Sequence, residues 1–130
     1  MNNVQKFVQL ANQLISEIKK TTGINRSGIT QAASLVSQGK VINSSTWNRP
    51  SAAEENAYIE ENGMAAYGKW FLAIDANAEM DTKEHWHYIY TSDFVNVDRA
   101  GLIAIRQRAG QQSQTDVFNA AGKLLEKIDA

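Results

Sequence analysis

The sequence predicts a mainly α-helical fold: a compact bundle of about five to six helices with one small β-hairpin. Three observations lead there. Apolar residues recur at spacings of three and four along most of the chain. Only residues 86–97 gather aromatic and β-branched side chains around a turn-like tripeptide, Thr91-Ser92-Asp93. The length of 130 residues suits one domain, so a single domain over 1–130 is expected, with residues 1–23 as a helical addition.

The first element is an amphipathic helix over residues 3–20, striped by Val4, Phe7, Val8, Ala11, Leu14, Ile15 and Ile18 and stopped by Gly23. A shorter helix follows over 28–38, with Ser27 as its cap and Gly39 past its end. Residues 40–50 read as a loop holding Pro50 and Trp47, whose ring is expected to fold back onto the core. Ser51-Ala52-Ala53-Glu54 is a capping box. It starts a helix that breaks near Asn62-Gly63, and a very apolar helix over roughly 64–74 follows. Asp75–Asp81 is an acidic turn, and Thr82–His85 forms one helical turn. Trp86–Tyr90 and Phe94–Val97 are the two arms of the hairpin. Asp98 caps a helix over 99–111, which Gly110 and the residues after it break. The last helix starts at Ser113 or Thr115 and carries Val117, Phe118, Ala121, Leu124, Leu125 and Ile128.

Composition narrows the function. The net charge is −1, and no block of like charges occurs. A nucleic-acid partner is not expected, because phosphate binding normally shows a basic excess. The absence of cysteine removes disulfides and thiolate zinc sites. No apolar run approaches the roughly 20 residues of a membrane span. No apolar segment follows a basic start as in a signal peptide. The cytoplasm is the expected compartment.

Candidate chemistry is sparse. Gly63-Met64-Ala65-Ala66-Tyr67-Gly68-Lys69-Trp70 misses the phosphate-loop pattern at its last position, where a hydroxyl is needed. Asp75–Asp81 opens like a calcium loop, but Met80 and Trp86 stand where Gly and Glu belong. His85 and His87 would share a face on a strand, and with Asp81 they form the one concrete metal set. Surface or packing histidines are the simpler reading. No G-x-S-x-G elbow is present. Glu54-Glu55 and Glu60-Glu61 read as solvating charges. Arg106 and Arg108 are expected to pair with carboxylates. No cofactor and no catalytic residue are assigned.

One resemblance stands out. Lys69-Trp70-Phe71-Leu72-Ala73-Ile74-Asp75, Ala78, Thr82-Lys83 and Tyr88 are followed by Val97-Asp98-Arg99-Ala100-Gly101-Leu102-Ile103-Ala104. Arg108-Ala109, Gln111-Gln112 and Ala120–Asp129 come next, and Leu35-Val36, Gly39-Lys40-Val41 and Trp47 also fit. Over residues 30–130 this resembles a phage and prophage module of uncharacterised function. That module is found near head-morphogenesis genes or behind prohead-protease-like regions. Its members usually carry a proline in the aromatic segment, where this chain has Tyr88-Ile89-Tyr90-Thr91. The protease region is absent, so no protease activity is implied.

The resulting expectation is a phage-encoded, non-enzymatic protein-binding module, structural or assembly-associated, in the host cytoplasm or in the virion. The alternative is a phage inhibitor of a host defence or regulatory protein, and a metal-dependent hydrolase on His85, His87 and Asp81 is the weaker one. The candidate binding surface joins Trp86, Tyr88, Tyr90 and Phe94 to the acidic Asp75, Glu79 and Asp81. Aromatic residues on alternating strands cannot all face inward unless helices cover both faces. The first helix is also long enough to pair with a copy of itself.

Overall fold

The computed structural model describes residues 22–130. The predicted helix over 3–20 lies outside them. In chain order the elements are β1 (Thr22–Ile24), α1 (Arg26–Ser37), β2 (Val41–Ile42), α2 (Ala52–Asn62) and α3 (Met64–Gly68). Then come β3 (Phe71–Asp75), a 3-10 turn (Lys83–His85), β4 (Trp86–Ile89), β5 (Val97–Asp98), α4 (Arg99–Gln111) and α5 (Thr115–Asp129). Helix dominates as expected, but the strands form more than one hairpin.

The central correction is β3. The expected helix over 64–74 stops at Gly68, and the chain emerges as a strand. Phe71, Leu72 and Ala73 are consecutive and all buried, Leu72 and Ala73 completely. A run buried on both faces belongs to a central strand, and periodicity alone does not separate it from a helix. β3 sits between β1 and β4, antiparallel to both. Gly23, expected to stop a helix, pairs with Ile74 instead.

The expected hairpin does not form either. Ala73 faces His87 and Ile74 faces Trp86, so β4 belongs to the β3 ladder. β5 pairs in parallel with β2, inside the segment read as a loop. The reason lies between the arms. Thr91 Oγ1 donates to the Asn96 carbonyl at 2.7 Å and accepts from Phe94 N. Asp93 Oδ1 accepts from Val95 N and Asn96 N. These local bonds compete with a ladder, and Phe94 takes a left-handed backbone with φ 54°. One backbone bond, from Asp98 N just beyond the second expected arm, reaches the Tyr90 carbonyl at the end of the first.

The helix ends follow the sequence more closely. Glu54 N donates to Ser51 Oγ and Ser51 N to Glu54 Oε1, completing the capping box. Asp98 Oδ1 caps α4 through Gly101 N. α1 ends in paired backbone bonds, Gly39 N to Val36 O and Lys40 N to Leu35 O, with Gly39 at φ 75°. Its start differs from expectation. Asn25 holds the cap position in place of Ser27, and its side chain donates across to the Gly68 and Phe71 carbonyls at 2.8 and 2.9 Å. α4 keeps the expected bounds, Arg99–Gln111, and runs through Gly110 before it ends.

α1 and α5 pack against β3, and α4 lies against β4 and β5. Arg99 at the start of α4 grips Asp129 at the end of α5 at 2.9 Å, so the two helices run antiparallel. One apolar cluster unites Ala32, Tyr67, Phe71, Leu72, Ile89, Leu102, Val117 and Leu124. Trp47 folds back as expected, its indole N–H donating to the Thr91 carbonyl at 3.2 Å. Glu55, expected in solvent, is buried and accepts from the Tyr67 hydroxyl at 2.8 Å. Burial, together with Glu55, raises the Tyr67 hydroxyl above its ordinary value.

Carboxylates held in hydrogen bonds, Asp93 and Asp129 among them, make stability depend on acid. Burial pushes the Asp93 carboxyl up, but bonds from Asn96, Val95 and Thr91 outweigh it and leave it lowered. Hydrogen bonding to Arg99 lowers Asp129. Both folded values lie below the unfolded one, so the stabilisation is complete above the usual aspartate value of about 3.9. It disappears as pH falls through the lower folded values. Thermal unfolding followed from about pH 5 to about pH 2 should show the midpoint falling. Asp93→Asn should flatten part of that fall, and an unchanged profile would remove Asp93 from the account.

Candidate functional site

Trp86 is among the residues that line two cavities. The first is a groove of about 390 Å³ between α3, the turn before β4, and the start of α1, lined by Asn25, Met64, Gly68, Met80, Asp81 and Trp86. Local chemistry builds it. Asp75 Oδ1 accepts from Asn77 N, and the Glu79 carbonyl accepts from Thr82 N and Oγ1, which folds the acidic turn. The turn presents Met80 at 69 % exposure, the most exposed large apolar side chain among the described residues. Its sequence neighbours Glu79 and Asp81 are exposed, as is Glu84, and Asp81 and Lys69 both line the groove. The Trp86 ring lies so close to Gly68 that a β-carbon there would meet it at 2.5 Å. The Trp86 indole N–H is buried and has no partner among the described residues.

The second cavity, about 140 Å³, lies between β4, α4 and the Trp47–Arg49 segment. Arg49, His87 and Arg108 line it beside Trp47, Trp86 and Tyr88. Tyr88 has an unusual backbone for a strand, with φ 66°. Its hydroxyl donates to Gln112 Oε1. Burial raises that hydroxyl above its ordinary value, and the Arg108 charge pulls it partly back.

The expected binding surface is thus divided. Trp86 and Asp81 meet in the groove, and Glu79 stands exposed nearby. Asp75 is half-buried at the end of β3. Tyr88 faces the second cavity. Tyr90 belongs to the core at 0 % exposure, its hydroxyl donating to the Lys69 carbonyl at 2.8 Å. Phe94 stacks on Tyr58 at 4.4 Å between ring centres, on another face. Neither Tyr90 nor Phe94 joins the groove. Met64 and Met80 escaped the sequence reading, although a methionine inside a polar acidic turn was a signal for Met80.

The metal set does not assemble. His85 ends the 3-10 turn rather than lying on the strand, so it shares no strand face with His87. It is buried, and its Nδ1 lies 2.9 Å from the Ala78 carbonyl, so that nitrogen carries the proton and donates. His87 is exposed. Among the described residues no group of three His, Cys, Asp or Glu side chains is placed to hold a metal ion.

The expected arginine–carboxylate pairs are also absent among the described residues. The Arg106 guanidinium lies over the Phe118 ring at 4.3 Å, and no described carboxylate lies within 4.0 Å of Arg106 or Arg108. No described helix is long and apolar enough to cross a membrane. Compared with known proteins, the chain matches no protein family, no curated protein and no solved structure.

Proposed function

We propose that the chain is a phage-encoded, non-enzymatic protein-binding module with a place in virion structure or head assembly. The phage assignment rests on the sequence resemblance over residues 30–130. The binding half rests on one observation: Met80 stands exposed at an apolar groove floored by Met64, Gly68 and Trp86. Exposed methionine is a flexible, polarizable contact that adapts to a partner side chain. Tryptophan is a frequent anchor of interfaces. Asp81 lines the groove together with one cation, Lys69, and Glu79, next to Met80 in sequence, adds a second exposed carboxylate that favours a basic partner. The occupant is therefore a protein segment that inserts an apolar side chain and flanks it with lysine or arginine.

A photo-cross-linking residue in place of Met80, in the full chain expressed during phage infection, tests this reading. The expected adduct joins the chain to a phage head protein through an apolar residue with basic neighbours. Asp81→Lys should reduce its yield. Adducts only within the chain, or only between two copies of it, would overturn the reading. Adducts only to a host protein would replace the assembly role with inhibition of that host protein.

A further inference from the structure

The second cavity lies outside that reading. Among the described residues its wall holds Arg49, His87 and Arg108 and no carboxylate. Arg49 and Arg108 have no acidic partner within 4.0 Å among the described residues, whereas Arg99 is satisfied by Asp129. A guanidinium presents a flat fork of donors that matches carboxylate and phosphate oxygens. Trp47 and Tyr88 supply flat aromatic surface beside those forks. The volume of about 140 Å³ is too small for a drug-sized ligand. It is close to the roughly 150 Å³ that accommodates a benzene ring. Tyr88 completes the wall only by adopting a backbone that strand residues avoid, and such outliers gather at ligand sites.

We propose that this pocket binds an oxyanion head group, carboxylate or phosphate, carried on a single flat ring. Arg49 and Arg108 hold the oxygens, and the aromatic walls hold the ring.

The full chain titrated with benzoate, phenyl phosphate, benzamide and inorganic phosphate, and followed by the NMR signals of the tryptophan indole N–H groups, tests the proposal. Benzoate and phenyl phosphate should give saturable shifts, and their relative affinities identify the preferred head group. Uncharged benzamide should bind about tenfold more weakly. Arg49→Gln and Arg108→Gln should each weaken the aryl anions about tenfold. Arg106→Gln, outside the pocket, should leave affinity within about twofold. Both pocket arginines are exposed, so the variants should keep the wild-type thermal midpoint. No saturable shift, benzamide binding as tightly as benzoate, or undiminished binding by both pocket variants would overturn the proposal. Inorganic phosphate binding as tightly as phenyl phosphate would remove the ring from it.

Discussion

Gly28→Ala should destabilise the fold by roughly 3 kcal/mol or more, although alanine is the better helix former. Gly28 lies in the first turn of α1, where helix propensity alone would favour the substitution by about 1 kcal/mol. The added carbon would sit 1.8 Å from the Phe71 carbonyl oxygen and 3.0 Å from Asn25 Nδ2. The first of these is backbone of the central strand and cannot swing aside. Moving it would also strain the Asn25 side chain, whose bonds to the Phe71 and Gly68 carbonyls tie the start of α1 to β3 and α3. The clash therefore outweighs propensity. Gly110→Ala is the matched control, because its nearest neighbour is the Phe118 ring at 3.5 Å, an ordinary contact. It should be neutral or stabilising by up to about 1 kcal/mol. Urea unfolding of both variants measures the difference, and equal stabilities would show that the α1–β3 junction is looser than described.

Gly68→Ala should remove about 1–3 kcal/mol of stability and also change the groove. The new carbon would meet three atoms of the Trp86 ring at 2.5, 2.5 and 2.7 Å. An indole is rigid, so the ring has to leave as a whole. Its departure takes away a wall of the groove. Cross-linking from position 80 should fall well beyond the fraction of protein unfolded, as measured by circular dichroism on the same sample. Cross-linking that falls only in step with unfolding would make Gly68 a packing residue and nothing more.

Much of the fold was legible in the sequence where the signal is local. The capping box at Ser51-Glu54, the Asp98 cap and the Gly39 stop each depend on a few adjacent residues, and each forms. The errors fall where partners are distant in sequence. Phe71–Ile74 is short and apolar throughout, and only β1 and β4 on either side make it a strand. Trp86–Tyr90 has strand chemistry, but its partner lies across the acidic turn in β3, not after Asp93. The site was half visible for the same reason. Trp86 and Asp81 were chosen from the aromatic and acidic segments, while Met64 joins them only because α3 ends where β3 begins. Arg49 and Arg108 lie 59 positions apart and meet only across the folded pocket.

Both cavities depend on β4 lying beside β3 with Trp86 seated on Gly68. Nuclear Overhauser contacts in the isotope-labelled full chain measure that placement directly. Cross-strand contacts are expected between Ala73 and His87 and between Ile74 and Trp86, with the Gly68 α-proton moved upfield by the Trp86 ring. Contacts running instead between residues 86–90 and 94–97, with Gly68 unshifted, would contradict it.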